Sequence, residues 1–438
     1  MTGFIKWMER YFIPVAVRIG GQRHLVAIRD GFIALMPLIM AGSLAVLLNN
    51  LFFTPASLIA DWFNLNPETS GYLQFTTKYL QPLMGNIWWG TFAVLALVVV
   101  FTIAYSLAKS YEVNPLSAAV VAVAGFLALT PQGVTITLED GTTQGTWGNF
   151  GWQYFNFGAL LTAIIVTLVI TQIFVTLMRK NLTIKLPDNV PPAVGRAFAA
   201  IIPGLIAIIV GAFVPVLFSI FNPDSNLFDF FTKFITDPFM NLSQNPFSAI
   251  IYVLMIQILW FFGLHGGNMM GAITNAVYLP AVAANAEGAQ NVFTSVFFDA
   301  FVHLGGAGAT LSLVIAIMIA SKRRDYREIS KIGGPASVFQ INEPIMFGLP
   351  VVLSPLLIIP FLFIPVVLTL TAYLATVSGF IGYTNVVVPW VTPVGISAFL
   401  STSGDIKAAL VAIINLVIAI IIYYPFVKLA NRYESEKV

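Results

Sequence analysis

The chain contains no cysteine, so no disulfide, no thiolate metal site and no phosphocysteine can form within it. Charge is also scarce. Asp, Glu, Lys and Arg make up 9% of the residues, against roughly 25% in a soluble domain. That is too little to coat a water-facing surface. No grouping of His, Asp and Glu has metal-ligand spacing, and no cofactor is implied. No Walker-type glycine loop is present, which leaves an ATP-driven pump unsupported. A formal net charge of +2, with no basic aromatic patch, gives no footprint for nucleic acid. Rings of like charge along the apolar stretches are missing too, which argues against a passive pore.

What is there is hydrophobic: 58% of the residues, arranged in long runs. A porin-like barrel would alternate apolar and polar residues over segments of about ten, and these runs do not. The expected fold is an all-α polytopic membrane protein. Lys6 to Arg29 is mixed and charged, unlike a cleavable signal, and Tyr11 to Val17 has the look of an interfacial amphipathic segment. Spans are expected over Ala27–Phe53, Ile87–Ala108, Pro115–Thr130, Tyr154–Met178, Ala197–Phe221, Phe247–Leu264, Val302–Ala320, Val351–Val377 and Ala408–Val427. Met269–Ala286 reads as a broken crossing or hairpin, and Pro389–Thr402 as a short re-entrant piece. The total is about ten transmembrane helices plus re-entrant hairpins. Thr54–Gln81 reads as a polar loop, Pro131–Gln153 as an external β-hairpin, and Arg179–Arg196 and Lys322–Gly334 as basic loops. The polar, mostly acidic linker 222–246 divides the chain into 1–221 and 247–438. With the N-terminus inside, all basic residues except Lys78, Lys233 and Lys407 fall on the cytoplasmic side, so both termini are expected there.

The segment Phe339–Pro350, FQINEPIMFGLP, carries the sharpest functional signal. Glu343 heads a run with no Asp, Glu, Lys or Arg until Asp405. A carboxylate at membrane depth is costly and is kept mainly where it meets a substrate, ion or proton. Pro344, Gly348 and Pro350 interrupt any straight helix, which suits a re-entrant tip lining a cavity. Such an acid accepts hydrogen bonds from sugar hydroxyls or draws a proton from the one being phosphorylated. The bland alternative is a structural acid paired to an arginine or capping a helix. His265, in GLHGGN, stands beside two glycines that let backbone approach a ligand; it could equally be a satisfied interfacial histidine. His303 and His24 read as structural and surface residues. Trp390, in VVVPWVTPVG, is either an interfacial belt residue or a platform for a pyranose ring. Arg196 starts a span and by default snorkels to lipid headgroups.

Four stretches carry a family resemblance: RIGGQRHLVAIRDGFIALMPLIMAGSL from Arg18, LPDNVPPAVGRAFAAIIP from Leu186, GLHGGN and INEPIMFGLP. Together they resemble the membrane component, enzyme IIC, of the phosphoenolpyruvate-dependent sugar phosphotransferase system, in its lactose, cellobiose and N,N'-diacetylchitobiose branch. The resemblance covers nearly the whole chain. It implies a cytoplasmic-membrane homodimer in which residues 1–221 build the scaffold and the dimer contact. Residues 247–438 would hold a disaccharide between hairpins near 265–290 and 335–350, bound from outside and swung inward. A separate cytoplasmic enzyme IIB would dock on the basic loops and donate phosphate from its cysteine to the sugar's 6-hydroxyl. The missing cysteine agrees with that division of labour. Carried over residue by residue, Glu343 and His265 match the family's catalytic, sugar-contacting acid and histidine, and Trp390 its stacking tryptophan. Asn342, Asn268 and Arg196 are the further candidate substrate contacts. Arg196 stands where some diacetylchitobiose members carry Asn, which leans towards cellobiose- or lactose-type sugars. The rival is a proton- or sodium-coupled secondary transporter with Glu343 as the ion site.

Overall fold

The computed structural model describes residues 10–11, 14, 18, 21–137, 142–184, 186–187, 190–222, 226–262, 264–349, 351 and 356–435. Most of the amphipathic segment Tyr11–Val17, the tip of the hairpin at 138–141 and Pro350 lie outside these residues. Buried side chains gather into two large clusters. One is built from residues between Ala27 and Phe228 plus Ala272, the other from residues between Ala249 and Ala430.

The first cluster surrounds α1 (Arg23–Ala34), α2 (Met36–Leu48), α3 (Gln81–Trp89), α4 (Leu95–Ser110), α5 (Pro115–Leu129), α6 (Leu160–Arg179) and α7 (Ile201–Phe221). Asn114 caps α5, its Oδ1 accepting from the N–H groups of Leu116 and Ser117 at 3.1 and 3.3 Å, a cap worth about 1 kcal/mol. The small buried face of α5, Ala118, Ala119, Ala122 and Gly125, is what lets α7 approach. A Cβ on Gly211 of α7 would lie 2.8 Å from the Gly125 carbonyl oxygen. Where lipid replaces water, close packing of small residues does the work that hydrophobic burial does in soluble bundles. The hairpin expected over Pro131–Gln153 forms: β1 (Gly133–Thr137) and β2 (Thr143–Trp147) pair antiparallel, with Gly133 opposite Trp147.

The second cluster surrounds α8 (Pro246–Phe261), α9 (Leu279–Ala286), α10 (Ser295–Phe301), α11 (Thr310–Ala320), α12 (Arg324–Val338), α13 (Glu343–Gly348), α14 (Ile358–Val377), α15 (Ile396–Ser401) and α16 (Ile406–Ser435). Asn415 of α16 is fully buried and ties three of these helices. Its Nδ2 donates to the carbonyls of Phe301 and Leu368 at 2.9 and 3.2 Å, and its Oδ1 accepts from the Thr371 hydroxyl at 2.6 Å. Asn415→Leu keeps the volume but removes all three bonds, including the one to the Phe301 carbonyl, while the Thr371 hydroxyl keeps its 3.0 Å bond to the Leu368 carbonyl. At roughly 1–3 kcal/mol for a buried unsatisfied group, the variant is expected to melt clearly below the wild type in detergent. Unchanged melting would mean that the bridge contributes nothing to stability.

Six helices are long and apolar enough to cross a membrane, and three shorter apolar ones accompany them among the described residues. Six of the nine named spans overlap the long helices, while Pro115–Thr130, Phe247–Leu264 and Val302–Ala320 coincide with the shorter ones; several are interrupted along their length. Ala27–Phe53 divides at Leu35, just ahead of Pro37 in the first turn of α2. Ile87–Ala108 breaks at Gly90–Thr91. In Val302–Ala320 the helix proper begins only at Thr310, after a stretch with Gly305, Gly306, Gly308 and Ala309 all at positive φ. Conversely, three expected polar stretches are helical. Thr54–Gln81 holds the helices Leu58–Trp62 and Gly71–Phe75, started by Ser57 and Ser70 caps. The linker holds Leu227–Phe231 and Asp237–Ser243. The basic loop Lys322–Gly334 is mostly α12, whose buried stripe of Tyr326, Ser330, Gly333 and Ser337 follows helical spacing while its charges face outward.

Candidate substrate site

The carboxylate is delivered by a helical hairpin. At 1.5 Å per residue, the 15 residues of α12 carry the chain roughly 22 Å from the basic cluster at Lys322–Arg324 towards Glu343. α13 then folds back against α12. Gly333 has no side chain because Ile345 Cδ1 lies 2.7 Å from where its Cβ would stand. Ile345 and Met346 are fully buried and anchor the turn, while Phe347 is exposed.

The histidine comes from the turn that follows α8. His265 caps the one-turn helix Gly266–Met269, its Nδ1 accepting the Asn268 N–H at 3.1 Å. An accepting Nδ1 puts the imidazole proton on Nε2, and Nε2 faces Glu343 Oε1 at 3.6 Å. The Trp260 ring sits 4.5 Å from the imidazole, centroid to centroid. Gly266 is what permits this turn: a Cβ there would lie 2.2 Å from the Ile256 carbonyl oxygen, which is backbone and has little room to yield. Gly266→Ala is therefore expected to displace His265 and to weaken ligand binding along with stability, by about 1–3 kcal/mol for an overpacked site. Detergent melting and a binding titration check this, and wild-type values in both would contradict it.

At 3.6 Å the two groups are too far apart for a good hydrogen bond, and their side chains are 43% and 45% exposed. Such a pair contributes at most about 1 kcal/mol, so it is not what holds the hairpins together. No lysine or arginine among the described residues pairs with Glu343. The acid and the imidazole are thus free to share a guest: a hydroxyl about 2.8 Å from each would accept from Nε2–H and donate to the carboxylate. A carboxylate so placed can take that hydroxyl's proton as the oxygen becomes a nucleophile.

The remaining sequence candidates are distributed differently. Trp390 is half exposed, in a loop whose Thr392 carbonyl accepts from Gln340 Nε2 at 3.5 Å. Asn268 is exposed and uses its backbone N–H on His265. Asn342 is buried, and its Nδ2 donates to the Ala307 carbonyl at 3.3 Å, so its amide is engaged with the fold. Arg196 is exposed on the helix Pro192–Ala199. Among the described residues no hydrogen bond or ion pair joins it to the other candidates. His303 lies 3.7 Å from Asp299 Oδ1, and its buried Nε2 has no partner among the described residues. His24, expected to be a surface residue, bonds to Gln172 Oε1 at 3.0 Å and links α1 to α6. A cavity of about 250 Å³ bordered by Gln172, Val175, Thr176, Arg179 and Lys180 includes none of the candidate residues. No group of three or more His, Asp and Glu among the described residues could hold a metal. Trp260 and Gln340 escaped the sequence reading. Trp260 is the penultimate residue of α8, a short turn before His265, but in LWFFGL it looks like any buried aromatic.

Long apolar helices, broken segments and a half-exposed acid–imidazole pair at the meeting point of two turns define a polytopic helical membrane protein with an internal polar site. The family model "Phosphotransferase system, EIIC" matches residues 29–365. The cellobiose-specific EIIC component of Lactococcus lactis subsp. lactis is 34% identical, covering 99% of each chain. That of Geobacillus stearothermophilus is 37% identical, over 99% of this chain and 96% of its own. The crystal structure of the transporter ChbC, the IIC component of the N,N'-diacetylchitobiose-specific system, superposes with a TM-score of 0.88 at 30% identity, over 98% of this chain and 99% of that one. The chain belongs to the EIIC family of the phosphotransferase system, the integral membrane permeases of that system.

Proposed function

We propose that the protein imports a β-linked disaccharide of the cellobiose type across the cytoplasmic membrane and offers its 6-hydroxyl to a separate phospho-enzyme IIB. The observation that carries this reading is the meeting of His265 and Glu343 at 3.6 Å, from turns far apart in sequence, with no arginine among the described residues paired to the acid. The names of the two cellobiose-specific relatives support the substrate class. The reading keeps the topology argued from the basic residues, with about ten crossings and both termini cytoplasmic. It also keeps a homodimer formed through residues 1–221, an external linker at 222–246 and sugar binding in 247–438.

In the proposed reaction His265 Nε2–H donates to the 6-hydroxyl oxygen, and Glu343 accepts that hydroxyl's proton as the oxygen attacks phosphorus. The sulfur–phosphorus bond of the IIB phosphocysteine breaks, and the phosphoryl group passes to the sugar. Trp390 offers an indole face for a pyranose ring, and the exposed amide of Asn268 offers a polar contact at the ring edge. Titration of the purified protein with cellobiose, lactose and N,N'-diacetylchitobiose tests the substrate class. Cellobiose is expected to bind tightest; binding of none of the three would overturn the proposal.

A further inference from the structure

The turn that ends α12 is built on an unexpected residue. The Gln340 N–H donates to the Ser337 carbonyl and the Ile341 N–H to the Ala336 carbonyl, at 3.1 Å each. This is the pattern of a helix end whose penultimate bonded residue is left-handed, a place where glycine is the default and asparagine the usual substitute. Gln340 occupies it with φ +65°. A glutamine gains nothing from that backbone conformation, so a reason for its presence must be sought in its side chain.

That side chain is 6% exposed and bonded at both ends. Oε1 accepts from the N–H groups of Gly305 and Gly306 at 2.6 and 3.0 Å. Nε2 reaches the carbonyls of Asp299 at 3.4 Å and Thr392 at 3.5 Å. One amide therefore joins the Glu343 turn firmly to the break between α10 and α11 and, by a long contact only, to the loop bearing Trp390. Two residues on, Asn342 repeats the attachment through Ala307. Gly306 is pressed so close that a Cβ would lie 2.6 Å from Asn342 Cβ. Glu343 follows immediately.

We propose that Gln340 is a positioning residue whose amide locks the Glu343 tip to the Trp390 loop, so that the carboxylate and the indole keep one spacing. The inference rests on the proposal that these two side chains contact the same sugar. A binder of a single hydroxyl group would have no need of such a lock; a binder of two linked rings does, because both ends must fit at once.

Gln340→Gly and Gln340→Asn both suit the left-handed backbone. The first removes the amide, and the second keeps it one methylene too short to reach the opposing loops. Both are expected to bind cellobiose at least about tenfold more weakly, in line with the cost of misplacing a binding group by about an ångström. A melting curve measured beside the titration separates a loss of fold, which lowers apparent affinity through the competent fraction, from a misplaced binding group. The deciding readout is the combination with Trp390→Ala. If Gln340 acts by placing the Trp390 loop, the double variant is no weaker than the weaker single variant. A merely structural glutamine gives losses that multiply, as independent sites do. Wild-type affinity in Gln340→Gly, or multiplying losses, would overturn the inference while leaving the sugar reading intact. A wild-type protein that binds no β-linked disaccharide would remove both.

Discussion

Glu343→Gln is expected to abolish sugar phosphorylation while leaving the protein folded and inserted. The substitution keeps the shape of the side chain and removes its charge. Because the carboxylate is half exposed and only 3.6 Å from a single imidazole, the fold loses no more than about 1 kcal/mol. Chemistry loses far more. An amide cannot accept the proton of the attacking hydroxyl, and removal of a positioned general base costs about 10² to 10⁴ in rate. Binding is expected to fall as well, since a hydrogen bond to a charged acceptor contributes about 1.5–3 kcal/mol. Single-turnover transfer from phospho-IIB, beside a melting curve and a cellobiose titration, separates these effects. Transfer at the wild-type rate would take Glu343 out of the mechanism.

His265→Asn should produce the second large effect, and it is more informative than alanine. Asparagine is among the best helix caps, so the Asn268 N–H that now bonds to Nδ1 at 3.1 Å retains an acceptor and the turn persists. What disappears is Nε2–H, the donor that faces Glu343 Oε1 at 3.6 Å. The expected result is near-wild-type melting with phosphotransfer reduced by about 10² or more, the scale of losing one preorganised donor. His265→Ala should add a loss of about 1 kcal/mol in stability through the missing cap. Equal melting of the two variants would mean that the cap contributes nothing; unimpaired transfer in His265→Asn would reduce the imidazole to a structural role.

Composition was enough to read the class of fold, because long apolar runs free of charge belong in a bilayer rather than in water. Glu343 and His265 were legible for a related reason: an acid in front of an uncharged stretch, and a histidine between a helix end and two glycines, each break a local rule. The breaks in the spans were harder to see. The stretch Gly305–Ala309 is apolar and small, so hydropathy runs straight through it, although its backbone is left-handed at four of five positions. The helices within Thr54–Gln81 and 222–246 were hidden for the opposite reason. They are short helices of five to seven residues, too short for periodicity to outweigh their polar caps. Gln340 had no signature at all, since a glutamine after a charged, amphipathic helix looks like surface until φ is known. Asn342 adjoins the acid in sequence, yet its amide is bonded to the fold; adjacency along the chain did not tell which way a side chain would be engaged.

An acid–imidazole pair that serves a sugar being phosphorylated is tested most directly in reconstituted vesicles. Labelled cellobiose is supplied outside and phospho-IIB enclosed inside, with and without an imposed proton gradient, for the wild type and Glu343→Gln. The prediction is phosphorylated sugar in the lumen only when phospho-IIB is present, no response to the gradient, and no product from the variant. Accumulation of unmodified sugar driven by the gradient alone would contradict it.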